Sequence, residues 1–344
     1  MDDVFQAAME RLLNDHCPAA LLREADAGTR MPAPPLWQRV ADDGFLDMLV
    51  PQERGGAGLG LAEACPTLLA IGRHHPPVPL VQTLLARTAL ASWGEPPAGR
   101  IAIAGSPAVA AGDALSLPRV AFGASADWVL AEVAGRVAVL DASRARIDAD
   151  PADGRVLADM HWPARAGEEP VPLDPDELRR LAALASCCLM AGLSLRVFEI
   201  TLEYAGTRSQ FGKPIARFQA TQQQLAVMAE LVDAACMSAQ LACQAGGPAP
   251  CALRVAAAKA VAGGIAPRLA DAAHAVHGAM GITWEYDLQL YSRPLRAWRL
   301  EAGGEGYWAQ RLGRALLDGA DASILAFLSG PLGRVPGGQD GAPA

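Results

Sequence analysis

The chain has 344 residues, which is enough for two or three domains of ordinary size. Its 29 basic and 37 acidic side chains give a formal net charge of −8, so no general attraction to nucleic-acid phosphates is expected. Apolar residues make up 51% of the chain. The sequence has no uninterrupted run of about 20 apolar residues, so a membrane span is not expected.

The N-terminus bears on the location of the protein, and the cysteines bear on metal binding. The first residues lack the basic stretch and apolar core of a signal peptide. The seven cysteines form no CxxC pair with the spacing of a metal site, and no HxxxH motif or carboxylate cluster is present. We therefore expect a cytoplasmic location, buried structural thiols and no metal.

Residues 1–98 predict a helical domain. Apolar side chains recur at helical spacing from Phe5 to Leu13, and a second apolar helix is predicted at 61–72 after a glycine-rich turn. The glycines at 55–60 do not form GxGxxG after a strand, which disfavours a Rossmann nucleotide site. They predict a tight turn instead.

Residues 99–170 change to short apolar runs, which glycine and aspartate separate. The runs lie at 101–103, 120–122, 128–130 and 137–140. This pattern predicts a small antiparallel β domain in which consecutive strands form a meander.

Long helical patterns return over residues 171–330. A capped helix start is predicted at Asp174, because proline and acidic residues follow it. Breaks are predicted at 207–214, 246–250 and 278–281, which leaves four or five helices for a bundle. Residues 331–344, rich in glycine and proline, predict a disordered tail. The fold class is mainly α with a small β domain.

The first helical break carries an unusual combination of residues. Its sequence from Tyr204 to Ile215 is YAGTRSQFGKPI, which places Arg208, Phe211 and a glycine between two long helices. A guanidinium and free backbone N–H groups in such a turn can bind a phosphate. A structural alternative is an arginine that caps the preceding helix beside a core phenylalanine.

This segment closely resembles the YAxxRxQFGKPIxxFQAxQxxLAxM signature of the acyl-CoA dehydrogenase family. Residues 277–291 resemble that family's HGGxGxTxExxLxxxxR block, and Arg293 falls at the position of its arginine. Residues 51–61 resemble, more weakly, its PExxGGxGL turn. The resemblance covers most of the chain. It implies an N-terminal helical domain (1–98), a shortened middle β domain (99–170) and a C-terminal helical bundle (171–330).

The resemblance also implies the cofactor FAD. It assigns Arg208 and Phe211 to the pyrophosphate and adenosine of FAD, with Gln219 nearby. In this family, the FAD whose adenosine half is bound by these residues belongs to a neighbouring subunit. The backbone groups that contact that half lie in a turn that resembles the one at Gly278. His277 lies in the same turn. These residues predict half of a cofactor site.

The flavin half of that site is not evident. The β domain has no loop like the family's Trp-Ile-Thr or Trp-Ile-Ser segment, and Ala279 replaces the second glycine of the family's pair. Trp128 is interpreted as a core residue. We therefore expect another chain to complete the flavin site.

The family's reaction needs a carboxylate that removes the proton α to the thioester. Counted without gaps, its usual position falls on Ala302, with Glu301 before it and Glu305 three residues beyond. On a helix, an offset of one residue turns a side chain by about 100°. Some members of the family carry the catalytic carboxylate on the helix before the Arg208 motif, and that position maps to Ala182. Glu301 is the one candidate for the catalytic base. The alternative interpretation is that Glu301 is a surface residue or a helix cap.

The resemblance predicts an acyl-CoA dehydrogenase-like flavoprotein of lipid metabolism, of the β-oxidation type. It is predicted to be one subunit of a hetero-oligomer with a second acyl-CoA dehydrogenase-like chain, passing electrons to an electron-transfer acceptor. Two alternatives stay open. One is a self-sufficient homo-oligomeric dehydrogenase with Glu301 or Glu305 as its catalytic base. The other is a non-catalytic structural partner that binds only the adenosine part of FAD.

Overall fold

The computed structural model describes seven stretches of the chain. They are residues 2–26, 35–112, 114–150, 156–163, 169–244, 249–319 and 323–332. Helices precede and follow a central β region, as the sequence predicts. The fold class, mainly α with a small β domain, is confirmed.

The N-terminal region consists of helices joined by tight turns. The helices are α1 (Asp2–His16), α2 (Ala19–Asp26), α3 (Pro35–Asp42), α4 (Leu61–His74) and α5 (Leu80–Ala91). Gly60 precedes α4, and its peptide N–H donates to the Glu63 carboxylate at 2.8 Å. The glycine-rich segment before α4 is therefore a turn that starts a helix.

Two four-stranded sheets form the β region. The strands are β1 (Ile101–Ile103), β2 (Val109–Ala111), β3 (Ala114–Ala121), β4 (Trp128–Val133), β5 (Arg136–Asp141), β6 (Arg146–Ala149), β7 (Leu157–Trp162) and β8 (Glu169–Val171). Their orders are β1-β4-β5-β8 and β2-β3-β7-β6. The predicted meander is only partly right, because β1 pairs with β4 in parallel while the other pairs are antiparallel.

The C-terminal region is a helical bundle. It comprises α6 (Pro175–Thr207), α7 (Gln219–Cys243), α8 (Ala252–His277), α9 (Leu288–Trp298), α10 (Glu305–Asp318) and α11 (Ile324–Phe327), with the two-residue strands β9 (Ser209–Gln210) and β10 (Lys213–Pro214) between α6 and α7. Asp174 caps α6, since its carboxylate accepts from the N–H groups of Asp176 and Glu177.

The first two residues of the predicted tail lie in a helical turn. Residues 331 and 332 still belong to the helical turn Leu328–Leu332, and the Arg254 guanidinium donates to the Leu332 carbonyl at 3.2 Å. The rest of the predicted tail, 333–344, lies outside the described residues.

Helices α6 and α7 are long and apolar enough to cross a membrane, by length and composition alone. The apolar part of α6 is 83% buried inside the protein, as in the core helix of a soluble domain, whereas that of α7 is 39% buried. One side of α7 is therefore left open to solvent within this chain.

The cysteine side chains are free thiols. Cys17, Cys65, Cys187, Cys188 and Cys243 are buried, while Cys236 and Cys251 are partly exposed. The sulfurs of Cys188 and Cys243 lie 3.8 Å apart, where α6 meets α7. Their role as small apolar core groups matches the sequence prediction for the five buried thiols.

Helices α4 and α6 cross in close contact at two glycines. A Cβ atom on Gly192 would lie 2.3 Å from the Leu69 carbonyl oxygen, and one on Gly72 would lie 2.8 Å from the Cys188 carbonyl oxygen. These neighbours are backbone atoms, which cannot rotate away. The approach of the N-terminal region to the bundle therefore requires glycine at both positions.

We predict that Gly192→Ala lowers the free energy of unfolding by about 1–3 kcal/mol, because the added methyl group overpacks the crossing. Denaturant unfolding monitored by circular dichroism measures the change. The matched control is Gly264→Ala in α8, where a Cβ meets nothing within 4 Å. That variant should be neutral or more stable by about 0.5–1 kcal/mol. Equal stability of the two variants would contradict the packing argument.

Candidate functional site

The first sequence motif forms a tight hairpin directly after α6. Strands β9 and β10 pair on either side of Phe211 and Gly212, whose φ angles are +50° and +79°. Left-handed backbone at both central positions is typical of a type I′ turn. Glycine adopts it at little cost, whereas phenylalanine is strained there.

Phe211 projects from the tip of this hairpin and is 91% exposed. Behind it, the base of the hairpin is held by Phe218, whose ring lies edge-on to Phe211 at 6.2 Å and 4.4 Å from the Lys213 ammonium. A strained backbone that exposes a large aromatic ring is typical of a binding site, because neither feature stabilises the isolated chain.

Arg208 and Gln219 lie at the two ends of the same loop. Both are exposed, and within the described parts of the chain the Arg208 guanidinium forms no ion pair. Gln219 is the first residue of α7, whose N-cap residue Phe218 supplies no side-chain hydrogen bond. The positive end of α7 and an uncompensated guanidinium therefore flank one surface, which suits an anion. Arg208 is the C-cap residue of α6, since its peptide N–H donates to the Tyr204 carbonyl, but the core phenylalanine of the structural alternative is not found, because Phe211 is exposed.

A stacked pair of rings joins the two sequence motifs. Tyr204, one turn before Arg208, stacks on His277 with centroids 4.3 Å apart, and its hydroxyl donates to the His277 carbonyl at 3.4 Å. The Tyr286 ring packs against both, at 5.8 Å and 5.2 Å. The hairpin after α6 and the turn after α8 thus form one surface.

His277 lies inside this surface rather than on it, with 3% of its area exposed. Its Nδ1 pairs with the Ala273 carbonyl at 2.8 Å, and burial lowers its pKa. The ring is therefore neutral at pH 7, and its role in the described contacts is to hold the Tyr204 ring.

Gly278 is exposed and has φ +58° and ψ −139°, a conformation that only glycine adopts readily. A short 3-10 turn follows, with Met280, Ile282 and Trp284 exposed by 44%, 76% and 56%. Exposed apolar side chains at this turn make it a candidate interaction surface.

Several buried polar atoms around this turn have no partner within the described stretches. They are His274 Nδ1, His277 Nε2, Arg293 Nε and both amide atoms of Gln289. Arg293 itself pairs with Asp26 at 2.5 Å through its terminal nitrogen. Unpaired buried polar groups are costly and rare, and these lie behind the exposed turn rather than on it. The groups compatible with the pyrophosphate of FAD are instead the exposed Arg208 guanidinium and the N–H groups at the start of α7.

The candidate base, Glu301, lies in a turn rather than on a helix. Residues 299–304 connect α9 to α10, and Ala302 has φ +54°. The offset of about 100° between Glu301 and the family's carboxylate position assumes a helix and does not apply here, because a left-handed turn redirects consecutive side chains. A Cβ on Gly105 would lie 3.4 Å from Glu301 Oε2 and 2.6 Å from the Ala302 nitrogen. Glu301 thus sits where the bundle meets the loop after β1.

Burial makes the Glu301 carboxyl a weaker acid than an ordinary glutamic acid. It is 7% exposed, and burial raises its pKa to about 7, although Arg119 and Lys259 act in the opposite direction. Lys259 is fully buried, its ammonium donates to the carbonyls of Trp298 and Arg299, and burial lowers its pKa to about 8. A carboxyl that titrates near neutral pH can either hold or accept a proton.

The other positions considered for the catalytic base, Glu305 and Ala182, are less suitable than Glu301. Glu305 pairs with Arg299, and that hydrogen bond lowers its pKa, so it is a weak base. Ala182, the second family position, is buried in α6 and carries no carboxylate. Trp128 packs against the core and donates to the Ala98 carbonyl at 2.9 Å, as a structural residue does.

Sequence reasoning missed two residues that define this junction. Lys259 is an isolated lysine in an alanine-rich helix, and only its burial, at 0% exposure, distinguishes it. Gly105 lies in a loop with no motif, and its importance follows from the backbone that packs against it. The signal for Tyr204 was available, because it opens the first motif.

Comparisons with known proteins agree with this architecture. The model of the acyl-CoA dehydrogenase N-terminal domain matches residues 2–98, and that of the acyl-CoA dehydrogenase C-terminal domain matches residues 180–317. The chain therefore belongs to the acyl-CoA dehydrogenase family.

Relatives and solved structures are consistent with this assignment. The acyl-CoA dehydrogenase IpdE2 of Mycobacterium tuberculosis is 31% identical over 283 residues, covering 81% of this chain and 86% of IpdE2. FadE34 of the same organism is 30% identical, covering 81% of this chain and 41% of FadE34. The ChsE4-ChsE5 complex from M. tuberculosis shares the fold, with a TM-score of 0.79 and 24% identity over 93% of this chain and 98% of that one. A variant of the Tcur3481-Tcur3483 steroid ACAD has a TM-score of 0.78 and 25% identity, covering 94% and 99%.

We predict that Glu301→Gln stabilises the protein at pH 8 more than at pH 5. The folded state keeps the Glu301 proton up to a pKa of about 7, while the unfolded state loses it near 4.5, so stability falls as pH rises through this window. The loss amounts to about 3 kcal/mol, and a neutral amide removes it. Thermal unfolding at both pH values measures the difference.

The matched control for this prediction is Glu305→Gln. The pKa of Glu305 is lowered by Arg299, so its ionised form stabilises the protein and its removal should lower the melting temperature at pH 8. A Glu301→Gln variant that is less stable than the wild type at pH 8 would show that Glu301 is ionised and paired in the folded protein.

Proposed function

We propose that this chain is one subunit of an FAD-dependent acyl-CoA dehydrogenase that oxidises the α,β bond of an acyl-CoA thioester. The supporting observation is the exposed, uncompensated Arg208 beside the strained Phe211 hairpin. Arg208 and the N–H groups of α7 bind the pyrophosphate, Phe211 packs against the adenosine, and Gln219 lies nearby. FAD, when bound, supplies the acceptor for the hydride from the substrate β-carbon.

The proposal places this surface in a hetero-oligomer. The Met237 and Val227 side chains of α7 are 67% and 47% exposed, and Phe211 and Trp284 add to the uncovered apolar area. A second acyl-CoA dehydrogenase-like chain would cover it and supply the flavin-binding loop. The similarity to a complex of ChsE4 with ChsE5 and to the Tcur3481-Tcur3483 pair supports such pairing.

The proposed substrate is a bulky, ring-containing acyl-CoA, in cytoplasmic degradation of the β-oxidation type, with electrons passed on to an electron-transfer acceptor. A cavity of about 270 Å³ between α5 and α6 has mainly apolar walls, including Leu85, Ala89, Trp93 and Leu181. Such walls favour a hydrocarbon group over a polar one. The relative described as a steroid ACAD supports a ring system.

A second candidate arrangement places the catalytic base in this chain. Glu301 has the required chemistry, because a carboxyl with a pKa of about 7 is ionised in a large fraction of molecules at neutral pH. In that arrangement Glu301 accepts the proton α to the thioester, and Lys259 limits the rise of its pKa.

Co-expression tests the half-site directly. We expect this chain to be colourless when it is produced alone, and to form a yellow mixed oligomer when it is co-expressed with any acyl-CoA dehydrogenase-like chain that is encoded beside it. The visible flavin spectrum and native mass spectrometry measure both properties. A yellow homo-oligomer made from this chain alone would contradict the half-site and show a complete flavin site.

In the same complex, Arg208→Ala should lower the amount of bound FAD by at least tenfold, because it removes the charge-assisted contact to the pyrophosphate. The ratio of flavin to protein absorbance measures retention after gel filtration. The matched control is Arg217→Ala, which removes an equal charge from another exposed arginine of the same loop. Equal loss in both variants would indicate general electrostatics, and full retention in Arg208→Ala would indicate a scaffold without a pyrophosphate clamp.

If Glu301 is the base, Glu301→Gln should lower kcat by at least a hundredfold, which is the ordinary size of a general-base effect. Wild-type kcat should then rise with pH through about 7, as the carboxyl ionises. Stopped-flow flavin bleaching by substrate measures the chemical step. Full activity of Glu301→Gln would assign the base to the partner chain, while Glu305→Gln should remain active in either case.

A further inference from the structure

A separate polar cavity lies where the ends of α1 and α4 meet α6 and α9. Its volume is about 200 Å³, and its lining includes Asn14, Cys17, Arg73, His74, Arg196 and Tyr291. Arg196 lies on α6, 12 positions before the C-cap residue Arg208, which corresponds to roughly 18 Å along the helix axis. The proposed dehydrogenase function uses none of these side chains.

Two guanidinium groups in this cavity share a single carboxylate. Arg73 Nε donates to both oxygens of Glu199 at 2.9 Å, and Arg196 Nη1 lies 3.6 Å from Glu199 Oε2. The Arg196 guanidinium also lies 5.3 Å from the centre of the Tyr291 ring, which restricts its position. One positive charge is left over, on side chains that are 27% and 36% exposed and hence accessible from solvent.

His74, the last residue of α4, adds an unsatisfied polar atom. Its Nε2 is buried and has no hydrogen-bond partner within the described ranges. Burial lowers its pKa to about 4, Arg73 and Arg196 act in the same direction, and Glu10 of α1 opposes them. The ring is therefore neutral beside two cations. An anion bound here would reverse the effect of the arginines and favour protonation of His74.

Cys17 and Tyr291 complete the surroundings of His74. The Cys17 thiol lies 3.9 Å from the His74 carbonyl, and Tyr291 of α9 keeps its proton because burial raises its pKa. Two further carboxylates act here through their charge alone, Glu10 on His74 and Asp287 on Tyr291. The cavity therefore presents two guanidinium groups against one directly paired carboxylate, Glu199, with hydrogen-bond donors on its walls.

We propose that this cavity is a binding site for inorganic phosphate, held by Arg73 and Arg196 with His74 as a third, protonatable contact. The volume of about 200 Å³ accommodates roughly six waters, or a phosphate with a few waters. It is smaller than the about 300–1,000 Å³ of pockets that hold whole cofactors. Two guanidinium groups and a protonated imidazole balance Glu199 and a dianionic phosphate, so binding takes up a proton at His74.

Calorimetric titration of the full chain, or of its complex, with inorganic phosphate at constant ionic strength tests the site. We expect saturable binding of one phosphate per chain. Histidine NMR in the same samples should show the His74 pKa rising from about 4 by one pH unit or more when phosphate is bound. Acetate serves as the comparison ligand. Its single negative charge, together with Glu199, balances the two arginines, so its binding should not protonate His74. Tighter binding of acetate than of phosphate would overturn the phosphate assignment.

Three variants make the test specific. Arg196→Gln should weaken phosphate binding at least tenfold, whereas Arg39→Gln, which removes an exposed arginine paired with Asp43, should leave it unchanged. His74→Gln should retain binding but lose the coupled proton uptake. If Arg196→Gln does not fold, Arg196→Lys serves instead, since it keeps the charge and loses the planar fork. Absence of saturable heat, an unchanged His74 pKa, or equal weakening by Arg39→Gln would overturn the proposal.

Discussion

The burial of α6 is the constraint on which the rest of the structure depends. Its 33 residues span roughly 50 Å at the usual helical rise, and it packs against α4, α7, α8 and α9. The close approach of Gly192 to α4 fixes the N-terminal region on the bundle. At one end Arg179 pairs with Glu132 of the β region, and at the other Arg208 starts the hairpin. One rigid helix thus sets the distance between the β region and the hairpin.

The second constraint is the burial of charge where the β region meets the bundle. Lys259 satisfies the carbonyls at the end of α9, and Glu301 follows in the next turn. Taking both groups out of water costs more than their attraction returns unless hydrogen bonds compensate. The lysine has such bonds. Glu301 responds by a raised pKa, which is why its protonation, rather than its sequence position, determines its suitability as a base.

Much of the architecture could be predicted from local chemistry. The cap at Asp174, the turn before α4 and the helical breaks after residues 207 and 277 all follow from proline, glycine and acidic residues at defined positions. Four strands of the β region were also evident. The strands β2, β6, β7 and β8 were not, because short segments with mixed burial carry little period-two signal. The parallel pairing of β1 with β4 joins residues that are 27 positions apart, which local patterns do not encode.

By itself, the sequence determined the family, the order of the three regions and the hairpin motif with Arg208 and Phe211, since those depend on residue types at fixed spacing. Only the tertiary structure decided that Tyr204 stacks on His277, that Glu301 is buried beside Gly105, and that two arginines share Glu199. Each of these requires contacts between segments far apart in the chain. Burial and electrostatic environment arise from such contacts, so the chemistry of the sites becomes visible only in the folded protein.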